Sequence, residues 1–390
     1  MTHLSNLFNR WPARSSYFPV TLLIFITSFL LLPTSKQVNN VYYLLLALPA
    51  LIAVIRHPQL LKPQTKEEWS WLLFLITATT MGLLGGAPIQ YFKHVGYVWL
   101  FCFAIIALAD PNIFRHRFFG RFLFWSVCLY IIGSAVYYWV SGVYSVGARV
   151  LWLPSRMTGP IYTSIWLVAC FALATPIWLK ERRYIEFLSA LFLSVACIGF
   201  ILQSRSGFVG LLALPLFLVF TAQLRISAKN LLVILGLFLV LIFGVWSTDL
   251  LKPLLDRGDA ARFAIWNAYL VRWWECGVLQ GCGLELKEVY LTVEGSGILA
   301  VHPHNIFISI GSRLGMLSLL FFLGTVLGTL WQSRKRQDPW GLYLAVSLIM
   351  LNFDGNLIIG NPDEIWLLIL LPMALLMNRS PPIKTDSDKA

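Results

Sequence analysis

The sequence predicts an all-α, polytopic membrane protein of about twelve transmembrane helices with one large loop outside the bilayer. Three observations carry this. Of 390 residues, 58% are hydrophobic and only 12% charged, against about 25% charged in soluble domains. The apolar residues come in continuous, span-length runs, as helices in lipid require, and do not alternate as in an outer-membrane barrel. Lys and Arg alternate in density from one connecting segment to the next. The net charge of +12 would suggest nucleic acid in a soluble protein. Here it reads as the positive-inside bias, and no nucleic-acid partner is expected.

The first run, 17–33, lacks a small-x-small cleavage site and is expected to remain as a span. The run 39–55 follows. Runs 69–87 and 91–110 are divided by Gly85-Gly86-Ala87-Pro88, a turn signal. Runs 118–140, 160–179, 184–202, 206–223 and 230–247 are each long enough to span. After a long polar interval come 304–331, 339–360 and 363–378, the last two divided by Asn361-Pro362. No internal repeat and no soluble domain is visible, so residues 1–390 are expected to form one membrane domain.

Orientation follows from the cations. Alternate segments hold Arg10 and Arg14; Arg56, Lys62 and Lys66; Arg115, Arg117 and Arg121; Lys180, Arg182 and Arg183; Arg225 and Lys229; Arg334, Lys335 and Arg336; Arg379, Lys384 and Lys389. The opposite loops hold only Lys36, Lys93, Arg149, Arg156 and Arg205. Both termini are therefore expected in the cytoplasm, and the long loop, 248–303, in the periplasm or outside the cell. That loop contains a helical pattern from Arg262, with Phe263, Trp266, Leu270 and Trp273 on one expected face. The helix is expected to end near Gly277, before a turn at Gly281-Cys282-Gly283. Cys102, Cys128, Cys170 and Cys197 fall in apolar runs as small core residues. Cys276 and Cys282 lie in the loop and could form a disulfide if it is periplasmic, although spacing does not decide this.

The candidate chemistry gathers on the outer side. Arg205, in Gln203-Ser204-Arg205-Ser206-Gly207, runs against the positive-inside bias; it is either a snorkelling anchor or a phosphate ligand. Arg262 begins the loop helix, where free amides also favour anions. Arg257 lies nearby, and Arg149 and Arg156 could form an opposite wall of an anion pocket. His302-Pro303-His304-Asn305 places two imidazoles where the loop re-enters the membrane. Either could accept a proton near neutral pH, and spacing does not choose between them. A metal pair is weakly signalled, with no Cys or carboxylate cluster beside it, and no metal is expected. Asp354, flanked by Asn352 and Asn356, is expected near the outer end of the eleventh span, where it could pair with Arg313. No Walker loop, dinucleotide fingerprint, Ser-His-Asp arrangement or cytoplasmic Asp-x-Asp metal site is present, which points to a lipid-linked substrate over a soluble nucleotide sugar.

Over about 200–330 the chain resembles the O-antigen ligase and O-antigen polymerase superfamily. His304-Asn305, nine residues, Gly315 and then Ser318 resembles its signature, with Ser318 where the family often has Gly. Arg262-Phe-Ala-Ile-Trp266 followed by Gly281-Cys282-Gly283 resembles its Arg-x-x-x-Trp and Gly-x-Gly elements, and Ser204-Arg205-Ser206-Gly207 its Ser-Arg-small-Gly element. The register favours His304 over His302. The resemblance implies a GT-C-like fold in a bacterial inner membrane. It implies an inverting, metal-independent and cofactor-free transfer on the periplasmic face. The donor would be an undecaprenyl-diphosphate-linked glycan and the acceptor lipid A–core oligosaccharide, among membrane lipids. His304, Arg205 and Arg262 would be catalytic, with Arg257, Arg156, Arg149, His302, Asn305 and Asp354 in supporting contact with diphosphate or acceptor. A polymerase or a protein O-glycosyltransferase stands as the alternative. A flippase for an anionic lipid would predict inverted repeats and charges deep in several spans; neither is visible.

Overall fold

A computed structural model describes residues 16–157, 159–220, 236, 261–284, 289–293 and 296–379. Among these residues the chain is almost wholly helical. In order, the helices are α1 (Tyr17–Leu31), α2 (Ser35–Arg56), α3 (Lys66–Leu84), α4 (Ile89–Leu108), α5 (Arg117–Val140), α6 (Pro160–Lys180), α7 (Tyr184–Leu202) and α8 (Arg205–Phe220). Then come the loop helix α9 (Arg262–Cys276), α10 (Ile306–Arg336), α11 (Trp340–Met350) and α12 (Trp366–Met377). An antiparallel hairpin, β1 (Val289–Val293) with β2 (Ser296–Ala300), pairs Val289 with Ala300 and precedes α10.

Among the described residues, six helices, α2, α4, α5, α6, α7 and α10, are long and apolar enough to cross a membrane, and α1, α8, α11 and α12 are shorter apolar helices. The chain is thus a polytopic helical membrane protein. The expected ninth span, 230–247, lies outside the described residues apart from Gly236. The apolar run 339–360 is not one helix: α11 stops at Met350 and 351–363 turns back on itself. Asn352, Asp354, Gly355 and Asn356 favour turns over helix interior.

Helices in lipid gain little from the hydrophobic effect and associate through close packing, so small residues mark their contacts. The central helix is α6, buried on nearly every side from Thr163 to Pro176, with α5, α7, α8 and α11 around it. Gly210 of α8 admits Met350 of α11 and Val168 of α6; a Cβ there would lie 3.0 Å from Val168 Cγ1. Gly324 and Gly328, one turn apart on α10, let α3 approach. Cβ atoms there would lie 2.9 Å from Ser70 Oγ and 2.9 Å from Glu67 Cγ. The Ser70 hydroxyl donates to Phe321 O at 2.9 Å across that contact.

Ion pairs sort the charges into the same two ends that the Lys/Arg alternation does. At one end Arg379 reaches Glu68 at 2.6 Å and donates to Lys62 O at 3.1 Å, and Arg115 meets Asp338 at 2.8 Å. At the other end Arg262 meets Asp354 at 2.8 Å and Arg156 meets Glu364 at 2.6 Å.

Candidate active site

Four segments far apart in sequence converge at that second end. The first is the α7–α8 junction. α7 finishes in a π turn, Cys197–Leu202, and Gln203 takes a left-handed φ of 45°. Ser204 N donates back to Ile198 O at 3.1 Å, and its hydroxyl accepts from Ser164 Oγ at 2.6 Å. The chain therefore reverses in two residues and starts α8 with Arg205, half-buried, and Ser206, buried.

The second segment is α9. Ile265, Tyr269 and Trp273 face inward; Tyr269 donates its hydroxyl to Ala300 O at 3.1 Å, and Trp273 Nε1 donates to Val278 O at 3.0 Å. The expected face was offset. Phe263 and Leu270 are exposed (66% and 45%), forming with Trp274 a second apolar stripe on the outside. Such a stripe suits a membrane interface. The inward side of the first turn presents Arg262.

The third segment is the His302–Asn305 turn. Asn305 caps α10, its Oδ1 accepting from Phe307 N at 3.0 Å and Ile308 N at 3.1 Å. A buried Asn at the cap satisfies amides that the helix cannot. His304 stands just before it with a left-handed φ of 52°.

The fourth is the 351–356 turn, fastened by Ile306 N to Leu351 O at 3.2 Å, Asn305 Nδ2 to Asn352 Oδ1 at 3.2 Å, and Tyr162 Oη to Asp354 O at 2.7 Å. It buries the Asp354 carboxylate, whose side chain is only 4% exposed. Arg262 Nη2 donates to Oδ1 at 2.8 Å and Oδ2 at 3.0 Å, and Ser206 Oγ donates to Oδ2 at 2.8 Å. His304 Nδ1 lies 3.4 Å from Oδ1, within ion-pair range but not aligned as a hydrogen bond. Asp354 is thus the hub that joins α8, α9 and the start of α10. The expected Asp354–Arg313 pair does not form. With α11 ending at Met350, Asp354 turns toward α9, and Arg313 Nη2 reaches Val301 O at 3.5 Å. A lone buried carboxylate is costly, and here a guanidinium and a hydroxyl compensate it.

The other candidates separate. Arg156 Nη1 holds Glu364 at 2.6 Å, joining the 141–159 loop to the start of α12. Arg149 Nε donates to Leu202 O at 3.0 Å, at the carboxyl end of α7, where a cation is favoured. Arg257 lies outside the described residues. Cys276 and Cys282 form a disulfide, their Cα atoms 5.0 Å apart. No group of three or more potential metal ligands occurs among the described residues.

The disulfide closes a loop with a specific seat. Within α10, Gly315 is not helical (φ 80°, ψ 170°). The break frees the carbonyls of Ser312 and Arg313 from their own helix. Cys282 N and Gly283 N occupy them, at 2.6 Å and 3.1 Å, while Met316 N turns outward to Val278 O at 2.9 Å. The approach is backbone to backbone: a Cβ on Gly281 would sit 2.7 Å from Gly315 N, and one on Gly315 would overlap the Leu279 carbonyl. Only glycine tolerates both the conformation and the distance. The 281–283 and 315 glycines, legible separately in the sequence, are two halves of one joint. Ser206 and Tyr162, which support Asp354, were missed. Ser206 lay inside a motif already noted, whereas nothing in the sequence marked Tyr162.

No family model matches the chain. Over 388 aligned residues the chain is 26% identical to the O-antigen ligase of Pseudomonas aeruginosa, the match covering 92% of this chain and 89% of that protein. The similarity to the O-antigen ligase superfamily therefore runs nearly end to end, well beyond the motif region.

Proposed function

We propose that this relative of the O-antigen ligases is itself such a ligase, moving a glycan from an undecaprenyl-diphosphate carrier to lipid A–core oligosaccharide. In this reading the chain has twelve spans in a GT-C-like arrangement, cytoplasmic termini and a periplasmic active site. The observation that supports it most is the convergence of His304 and Arg262 on Asp354, with Arg205 beside Ser206 at the same hub. Guanidinium groups at a buried, polar helix junction suit a diphosphate, whose oxygens match the guanidinium fork.

The proposed chemistry uses this placement. Asp354 engages Arg262 through Nη2, and the guanidinium carries further N–H donors on Nε and Nη1 for a phosphate oxygen. With its proton on Nδ1 facing Asp354, His304 offers Nε2 as the base. The acceptor hydroxyl gives its proton to Nε2, and its oxygen attacks the anomeric carbon. The bond from that carbon to the diphosphate breaks with inversion, and the electron pair leaves on the phosphate oxygen. Arg205 and Arg262 stabilise that growing negative charge. Arg149, Arg156 and Asn305 have structural partners of their own, on Leu202, Glu364 and the start of α10, and in this reading they shape the wall of the site.

The test is the lipopolysaccharide ladder of a deletion strain. Loss of all O-chains with lipid-linked polymer retained is the expected result. Core bearing a single repeat would instead identify a polymerase. In a purified assay with lipid-linked donor, His304→Ala is expected to abolish transfer and EDTA to leave it intact; normal transfer by His304→Ala would overturn the base role.

A further inference from the structure

His302 has no part in the chemistry above, yet its contacts are specific. His304 occupies the left-handed region, which is uncommon for a residue with a side chain and persists where its surroundings hold it. Contacts on both sides hold it. The His304 backbone N–H donates to His302 Nδ1 at 3.3 Å, across the buried Pro303. On the far side Asn305 is fixed as the cap of α10. The two imidazoles are in contact in a tilted arrangement, with centroids 4.0 Å apart and planes inclined by 52°.

An imidazole nitrogen accepts a hydrogen bond only when it carries no proton, so this turn requires a neutral His302 with its proton on Nε2. The charged or titratable groups facing it are His304, Arg313 and Asp354. Burial, the His304 ring and the Arg313 cation together lower its pKa to about 4, against the pull of Asp354. Neutrality also matters to its neighbour. A cation stacked on His304 would oppose the positive charge that a base acquires.

We propose that His302 is a positioning residue for glycan transfer: its neutral ring accepts the His304 amide, fixes the left-handed turn, and so aims the His304 imidazole between Asp354 and the acceptor hydroxyl. This rests on the reading of His304 as the base.

The experiment compares His302→Asn, His302→Phe and His304→Ala in purified full-length protein, with lipid-linked donor and core acceptor, measuring kcat and KM across pH. Asn keeps an acceptor two residues before the amide, as in an Asx turn, and discards the ring. Phe keeps a stacked ring and discards the acceptor. His302→Phe is expected to lose at least ~10-fold in kcat with donor KM little changed, since misplacing a catalytic group by about 1 Å costs that much or more. His302→Asn is expected to recover most of the loss. Wild-type kcat in His302→Phe overturns the proposal, and so does a His302→Asn protein as impaired as His302→Phe, for whatever cause. His302→Lys adds a further sign. It is expected to move the acid limb of the kcat profile to lower pH; an unmoved limb counts against the stacked geometry. The control separates the two readings. If His304→Ala retains activity, the base role fails; if His304→Ala is inactive while both His302 variants behave as wild type, only the present inference fails.

Discussion

Replacing Gly315 with alanine probes the joint between the loop and α10. Gly315 adopts φ 80° and ψ 170°, a region costing an L-residue about 1–3 kcal/mol. The new Cβ would also overlap the Leu279 carbonyl, and backbone cannot swing aside as a side chain can. The cheaper response is for α10 to straighten and expel the 278–283 loop. Ser312 O and Arg313 O then regain intrahelical partners, and alanine adds about 1 kcal/mol of helix propensity over glycine. Against this stand the loop's three backbone hydrogen bonds, from Cys282 N, Gly283 N and Met316 N, at about 0.5–1.5 kcal/mol each, and the packing around Trp273. Removing the seat is therefore expected to weaken docking by about 2–3 kcal/mol. At 1.36 kcal/mol per tenfold, the Cys282 and Gly283 amides should exchange hydrogen roughly 30- to 150-fold faster. Transfer should fall with them, because the same loop anchors the end of α9, the helix that starts with Arg262. Hydrogen exchange read by mass spectrometry over 276–284 is the assay. Unchanged exchange with unchanged transfer in Gly315→Ala would refute the reasoning.

The remaining predictions concern charge and covalent ties. Asp354→Asn leaves Arg262 without its anion and should lower stability by about 3 kcal/mol, the low end for orphaning a buried partner, because Arg262 keeps 17% exposure; unfolding in detergent measures it, and transfer should be lost. Glu364→Gln should destabilise by a similar ~3 kcal/mol, whereas the double change Arg156→Met with Glu364→Leu should recover most of it, as in other buried pairs replaced together. Cys276→Ser should cost about 2 kcal/mol through the short loop it reopens, and reductant should then have no further effect on the melting temperature. Between pH 6.5 and about 4, acidification should cost the wild type stability relative to His302→Asn. In that window the unfolded chain has taken up a proton at His302 and the folded chain has not, so the decline should be shallower in His302→Asn.

Much of this was legible in the sequence, for identifiable reasons. Helix positions followed from run length, because lipid leaves the backbone no other choice. Arg262 and His304 stood out because polar residues are scarce against such a background. Asp354 was visible as a candidate, but its partner was misjudged. An apolar run through residue 360 concealed the turn at Asn352–Gly355, and with it the direction of the carboxylate. The inward face of α9 was misplaced because that helix has two apolar stripes, and periodicity does not say which one meets protein and which meets lipid. The Gly281–Gly315 contact was out of reach since it joins backbone to backbone, leaving no side-chain pattern to read.

The break at Gly315 gives the His-Asn-to-Gly spacing a mechanical meaning. Beyond it, Gly324 and Gly328 clamp α10 against α3. Before it, the segment from Ile306 to Leu314 is a helical rod of about 13 Å at 1.5 Å per residue, with His304 just past its far end. Tilting that rod by ~10° about Gly315 would carry its tip roughly 2 Å, a displacement large enough to matter for the proposed base. The nine-residue interval thus has the geometry of a lever arm, with the 278–283 loop seated at its fulcrum.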